Sequence, residues 1–345
     1  MLLRTGGILL RQLKWLSALG LVALLMSRPQ AATLGASMAM ANWYASVAPA
    51  LFPFLALMPL LTCREAVQAY ERLLGRAMKT LFDLPGGAAP AMFIGMVGGM
   101  PAGAIAARHI AARSSMNRGQ LHRVASAFAG FSPAFLVGGV GAGMLGSAAL
   151  GWKLWEAQLL TQLTLALLLR RAWRDRTQPV PELLEGGGDQ PVRAAVLTVL
   201  TICGYMALFG ALNVVAASYI GRRSANALLC LLDVPSGALW LSSQPMDEVW
   251  KLTLLAAMCG FGGMCVAMQS LSALKGCGMS AVEYTGLRAL AGAISAGWMA
   301  LLLRVSLRDA SMLLVKLWEN PYQTAALFAS ILAIPALFKI RKSIN

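Results

Sequence analysis

The sequence is poor in charged residues, and above all in acidic ones. Only 12% of its 345 residues are charged, whereas 58% are hydrophobic, and the mean hydropathy is +0.66. A soluble domain of this length needs more polar surface than such a composition can supply. Several runs are apolar for the roughly 20 residues that a bilayer core requires. We therefore predict an all-α polytopic membrane protein, with the lipid bilayer as its first partner.

Histidine is scarce, and the common catalytic motifs are missing. There are two histidines, His109 and His122, and the six cysteines include no C-x-x-C pair. Such isolated cysteines are usually small buried hydrophobic residues. The sequence has no Walker A lysine, H-E-x-x-H or nucleophile-elbow serine, and its G-x-G-x-x-G match at 141–146 lies in an apolar span rather than a βαβ unit. We predict no enzyme, no metal and no cofactor, and leave a coupling ion, H+ or Na+, open.

The net charge of +15 comes from 29 lysines and arginines against 14 acidic residues. In a membrane protein such an excess collects in cytoplasmic loops, and it does not indicate a nucleic-acid partner. With both termini in the cytoplasm, 21 of the 29 basic residues fall in cytoplasmic segments. The sequence thus predicts a multi-pass protein of the cell membrane with both ends inside.

Glycine and proline are concentrated in short motifs that occur twice. Residues 98–105 read Gly-Gly-Met-Pro-Ala-Gly-Ala-Ile and residues 235–239 read Pro-Ser-Gly-Ala-Leu, with their prolines 134 positions apart. The Gly-Phe pair at 130–131 recurs at 260–261. Two echoes in the same order indicate an internal repeat. In an apolar chain, such interruptions at matching places in two halves point to the binding site of a transporter.

The repeat divides the chain into five segments. In chain order they are a membrane anchor with an interfacial segment (1–45), the first repeat (46–172), a polar cytoplasmic linker (173–193), the second repeat (194–305) and a C-terminal transmembrane helix with a basic tail (306–345). The predicted spans are 8–27, 46–62, 124–149, 154–171, 195–218, 249–273, 286–304 and 322–338, and the charge pattern of 64–84 suits an interfacial helix.

Each repeat is expected to hold a re-entrant hairpin and a broken helix. The hairpins are 86–105 and 228–242, and the broken spans are 124–149 and 249–273. The topology above brings the two hairpins in from opposite sides of the membrane, so the repeats are inverted. Irregular backbone is tolerated at membrane depth only where it is buried in protein or lines a wet cavity. Helix N-termini at such breaks suit a carboxylate or a phosphate.

The candidate substrate site consists of residues at these tips and breaks. They are Gly99, Pro101, Gly103, Ser132, Pro133, Asp233, Ser236, Gly237, Gly262, Gly263, Gln269 and Arg108. Asp233 could carry a proton, coordinate a cation or cap the following helix, and Arg108 could meet an anion arriving from the cytoplasm. The hydroxyl and amide side chains could bind a ligand or a neighbouring helix. Asn213 and Glu156 are further polar positions in apolar runs, without a motif.

Six motifs carry a resemblance to a known family. They are Leu51-Phe52-Pro53-Phe54, Leu84-Pro85-Gly86, the run 98–104, Phe131-Ser132-Pro133, Leu232-Asp233 before Ser236-Gly237, and the run 260–263 with Gln269. In this order, from about residue 46 to 305, they resemble the YlbJ family of sporulation integral membrane proteins, in the nucleoside-recognition or Gate domain superfamily. The resemblance implies a fold similar to concentrative nucleoside transporters. It also implies a role in endospore formation, moving dipicolinate across the outer forespore membrane.

The chain departs from the family pattern close to the tips and breaks. Ile105 stands where the family has a lysine, 127–129 where it has an Asn-rich stretch, and Cys265 and Ala267 where it has Ser and His. We predict a transporter of a small planar anion, with dipicolinate as the leading candidate, that works by alternating access around the two hairpin tips. Three alternatives stay open: a nucleoside, another carboxylate, or a non-transporting scaffold of the sporulation membrane. A homo-oligomer is also open.

Overall fold

The computed structural model of the protein describes residues 2–114, 116–181 and 191–304. The predicted C-terminal transmembrane helix, within 306–345, lies outside the described residues. Within them the chain forms helices and no β-strand. This confirms the all-helical part of the predicted fold class.

The chain begins with three helices, α1 (Leu2–Ser27), α2 (Pro29–Asn42) and α3 (Ala48–Leu61), with a π-helical turn between the last two. Proline at the first position of α2 suits a helix start, because its missing N–H is not needed there. Helix α2 packs along α9 (Pro191–Ile220) at a glycine pair. A Cβ built on Gly35 would lie 2.2 Å from the carbonyl oxygen of Gly210, so only glycine allows this approach.

The first repeat continues with α4 (Arg64–Phe82) and with a hairpin formed by α5 (Ala89–Val97) and α6 (Ala102–Arg113). It ends in α7 (Arg118–Ala127), a π-helical segment (Ala134–Met144) and α8 (Ala148–Leu168). The predicted hairpin and the predicted interruption are therefore present. We call residues 98–101 the first tip and residues 128–133 the first break.

The segment predicted as the second repeat has a similar order of helices. After α9 come a hairpin of α10 (Arg222–Leu232) and α11 (Val234–Ser242), then α12 (Glu248–Phe261) and α13 (Gly263–Ala273), and then α14 (Ala281–Arg304). The second hairpin starts about six residues before its predicted boundary. We call residues 232–236 the second tip and residues 262–263 the second break.

Three helical stretches within the described residues are long and apolar enough to cross a membrane. They are Pro191–Ile220, Glu248–Ala273 and Ala281–Arg304. A fourth is added if α4 and Gly86–Val97, which meet at a bend of 93°, count as one span. These helices support a multi-pass membrane protein. The apolar helices Trp15–Ser27, Leu51–Leu61 and Ala134–Met144 are shorter.

The two halves of the chain contact each other through their hairpins. Helix α6 contacts α13, and α11 contacts the π-helical segment, so each hairpin lies against the second half of the other repeat's broken span. A buried apolar cluster joins Met100, Leu136 and Val234 across this boundary. The hairpin tips are therefore held between the repeats.

The first part of the predicted linker fastens both repeats. The backbone N–H of Gly119 donates to the carbonyl oxygen of Arg176 at 3.0 Å, and the guanidinium of Arg176 forms an ion pair with Glu283 of α14 at 2.5 Å. Residues 182–190 lie outside the described part of the chain. The described start of this segment thus connects α7 of the first half to α14 of the second half.

Candidate functional site

A cavity of about 1110 Å³ lies where the two tips approach α2, α3 and α9. Six of the twelve predicted site residues line it. They are Gly99, Pro101, Ser132, Asp233, Ser236 and Gln269. They come from both tips, the first break and α13, so the fold brings together positions that are up to 170 residues apart in sequence.

Two of the remaining glycines lie in the hairpin arms. A Cβ on Gly103 would come within 2.7 Å of both the Gly95 Cα and the Phe128 carbonyl oxygen. A Cβ on Gly237 would come within 2.7 Å of the Cys230 Cα. These glycines let the two arms of each hairpin touch, although neither glycine lines the cavity itself.

The other four predicted residues also lie away from the cavity wall. Pro133 precedes the π-helical segment, and Gly262 and Gly263 form the second break with φ angles of 88° and 78°. Those angles favour glycine, because a side chain is strained there. Arg108 is buried and donates to the carbonyl oxygen of Pro181 at 2.5 Å. Its guanidinium thus binds the segment that follows the first repeat.

Each tip packs on the break of its own repeat. In the first repeat the backbone N–H of Met100 donates to the carbonyl oxygen of Gly130 at 2.6 Å. In the second, a Cβ on Gly263 would lie 3.2 Å from the carbonyl oxygen of Leu232. Each tip therefore lies in contact with the break that follows it in the chain.

Asp233 and Ser132 both cap a helix that starts at the cavity. The Asp233 Oδ2 atom accepts hydrogen bonds from the Ser236 N–H at 3.2 Å and from the Ser236 Oγ at 2.6 Å. The Ser132 Oγ accepts from the Phe135 N–H at 3.3 Å. Capping satisfies N–H groups that have no partner within the helix. The structure shows this role for Asp233 while leaving the residue on the cavity wall.

Three asparagines of the cavity wall do not belong to any motif. Asn42 comes from the end of α2, Asn213 from α9 and Asn226 from α10. The Asn213 Oδ1 atom is buried and has no hydrogen-bond partner among the described residues. The only sequence signal for Asn213 is a single amide in an apolar run, which does not predict which helices it meets. Glu156 of α8, the other such position, is not a wall residue.

The cavity wall carries one carboxylate and no basic side chain among the described residues. Its other polar groups are amides, hydroxyls and the peptide groups where α6, α11 and the π-helical segment begin. The electrostatics of the wall thus come from helix N-termini and from Asp233.

The sequence is 25% identical over 348 residues to the sporulation integral membrane protein YlbJ of Bacillus subtilis (strain 168). The alignment covers 88% of this chain and 83% of that protein. This chain is a relative of YlbJ. The similarity to YlbJ confirms the resemblance predicted from the tip and break motifs. No family model matches the chain, and no solved structure matches it.

Proposed function

We propose that the protein is a membrane transporter for a small planar anion, that it works by alternating access, and that dipicolinate is its leading substrate. One observation carries this proposal: two hairpin tips and the halves of two broken helices converge on one cavity. Interrupted helices at corresponding places in two repeats are typical of transporter binding sites. The similarity to YlbJ, a sporulation integral membrane protein, supports a role in endospore formation. As part of this proposal, the protein acts at the outer forespore membrane.

The proposed site suits a flat ring with polar substituents. Phe131 and Phe135 line the cavity with their ring centroids 4.9 Å apart, and an aromatic substrate could stack beside them. Carboxylates would accept hydrogen bonds from the peptide N–H groups where helices begin at the wall. The Asn213 amide would fix the orientation of the ring, as a few polar groups do in mostly apolar pockets.

Charge balance suggests that the anion moves together with a cation. A dianion in this cavity would meet the carboxylate of Asp233 and no basic side chain of the described wall. A proton or Na+ bound at Asp233 would remove that repulsion, which is strong away from water. We therefore infer that transport is coupled to one of these ions.

The lack of a basic side chain in the described cavity wall favours a second candidate, an uncharged solute such as a nucleoside. Amides and hydroxyls without a basic residue recognise neutral polar groups well. If the chain were a scaffold that does not transport, the cavity would bind neither solute. The three functions therefore give different results in one assay.

The experiment is uptake of labelled dipicolinate and labelled uridine by the purified protein in liposomes. We expect saturable dipicolinate uptake, lost in Asn213→Leu and retained in Thr201→Leu, a change on the lipid-exposed face of the same helix. Uptake of uridine alone would replace the substrate and keep the transporter. Uptake of neither solute by folded protein would favour the scaffold.

A further inference from the structure

Arg288 of α14 lies inside the protein with 2% of its surface exposed. Its Nε donates to the carbonyl oxygen of Phe261 at 3.2 Å, and one terminal nitrogen donates to that of Gly260. The other terminal nitrogen donates to the carbonyl oxygen of Ser126 at 3.3 Å. Two of these acceptors end α12 and the third ends α7. One side chain thus reaches the first halves of both broken helices.

The surroundings explain how a buried cation is tolerated at this place. The last carbonyl groups of a helix have no partner within the helix, and the helix end carries partial negative charge. The guanidinium of Arg288 supplies donors to two such ends. No ion pair among the described residues includes Arg288, so its charge is balanced by these peptide dipoles.

Gln158 of α8 occupies the matching position in the first repeat. Its Nε2 donates to the carbonyl oxygen of Phe131 at 2.7 Å. Phe131 and Gln158 are 27 residues apart, as are Phe261 and Arg288, and both members are shifted by the 130 positions of the Gly-Phe echo. The glutamine bond stays within its own repeat. The arginine, with five donors in a fork, also reaches the other repeat.

The first tip lies against the same place. A Cβ on Gly262 would come 2.5 Å from the Met100 Cε and 3.8 Å from the Arg288 Nε. Met100 lines the cavity and is bonded through its N–H to the first break. A continuous set of contacts therefore joins Arg288, both breaks and the first tip.

We propose that Arg288 is a positioning residue that couples the two helix breaks and so keeps both tips turned to one cavity. It acts through the backbone of α7 and α12 and is not itself part of the cavity wall. The transport readout rests on the proposed function, whereas the coupling itself can be measured without any substrate.

The test measures how fast the native cysteines of Arg288→Gln are alkylated. The full chain is placed in lipid nanodiscs, and mass spectrometry monitors the alkylation. Glutamine can keep a bond to Phe261, as Gln158 does to Phe131, but it is too short to keep all three acceptors and carries no charge. We expect Cys265, buried in the first turn of α13, to react about tenfold faster relative to Cys63, a partly exposed cysteine directly before α4. Arg304→Gln, at the exposed end of the same helix, is the matched control.

Arg288→Lys keeps the charge without the fork, so its Cys265 rate should lie between those of wild type and Arg288→Gln. If Arg288→Gln is not recovered in a folded form, Arg288→Lys replaces it in the test. Where uptake is measurable, maximal rate should fall in Arg288→Gln with KM unchanged. The proposal is wrong if Cys265 reacts in Arg288→Gln at the same rate as in Arg304→Gln. If only Arg288→Lys folds, a wild-type rate of Cys265 alkylation in that variant also contradicts the proposal. Absence of uptake in the wild type would count against the transporter and leave the labelling result intact.

Discussion

The backbone N–H of Met100 donates a hydrogen bond to the carbonyl oxygen of Gly130, with 2.6 Å between nitrogen and oxygen. This bond joins the first tip to the first break, two segments that the sequence singled out separately for their glycines and prolines. Because both partners are backbone atoms, the contact depends on how closely the helices approach. The glycines that allow this approach are therefore the first places to test.

Gly103→Ala should destabilise the first hairpin and abolish uptake. The added Cβ would lie 2.7 Å from the backbone of α5 and of Phe128, neither of which can move freely. Overpacking of this kind costs about 1–3 kcal/mol. Thermal unfolding of the purified protein measures the effect. Gly297→Ala on α14, where a Cβ meets nothing within 4 Å, is the control, and equal melting of both variants would contradict the packing argument.

Asp233→Asn should separate capping from ion coupling. Asparagine caps helices about as well as aspartate, so the thermal stability should change little. The amide cannot bind a proton or attract Na+ in the same way, so the dependence of uptake on pH or Na+ should flatten. Asp233→Ala should in addition lose about 1 kcal/mol of stability with the cap. If Asp233→Asn kept the wild-type ion dependence, Asp233 would be a cap alone.

Arg108→Gln should leave the KM for dipicolinate unchanged. The Arg108 guanidinium is bound to the carbonyl oxygen of Pro181 and does not line the cavity. Initial uptake rates over a range of substrate concentrations give the value. A large rise in KM with an unchanged maximal rate would restore the sequence-based role of Arg108 in meeting the anion.

Glu283→Gln should have a small effect on stability. Its partner Arg176 and Glu283 itself keep 26% and 33% of their side-chain surface exposed, so water and salt screen the pair. Pairs of this kind contribute about 0–1 kcal/mol. Melting temperatures at low and high salt test this, and a loss well above that range would show that the segment after α8 is fastened mainly by this ion pair.

The hairpins and breaks could be predicted because glycine and proline mark them directly in the sequence. The cavity wall from α2 and α9 could not, because Asn42 and Asn213 lie in helices whose sequence does not say which neighbours they meet. Arg288 is one of the 21 basic residues that the charge pattern assigns to cytoplasmic segments, yet the structure buries it in α14. A charge count cannot distinguish a loop arginine from one that binds helix ends. Gln158 follows Phe131 by 27 residues, and Arg288 follows Phe261 by the same interval. The sequence contains this interval, but only the structure shows that each pair is joined by a hydrogen bond to the Phe carbonyl oxygen.

The most direct test of the proposed site is protection of a cavity cysteine by substrate. Ser236→Cys places a thiol on the cavity wall, and Ser243→Cys places one at the exposed end of the same helix. Dipicolinate should slow alkylation at position 236 in a saturable manner and leave position 243 unaffected. Alkylation at position 236 that stays unchanged at saturating dipicolinate, in protein shown to be folded, would contradict a dipicolinate site between the two tips.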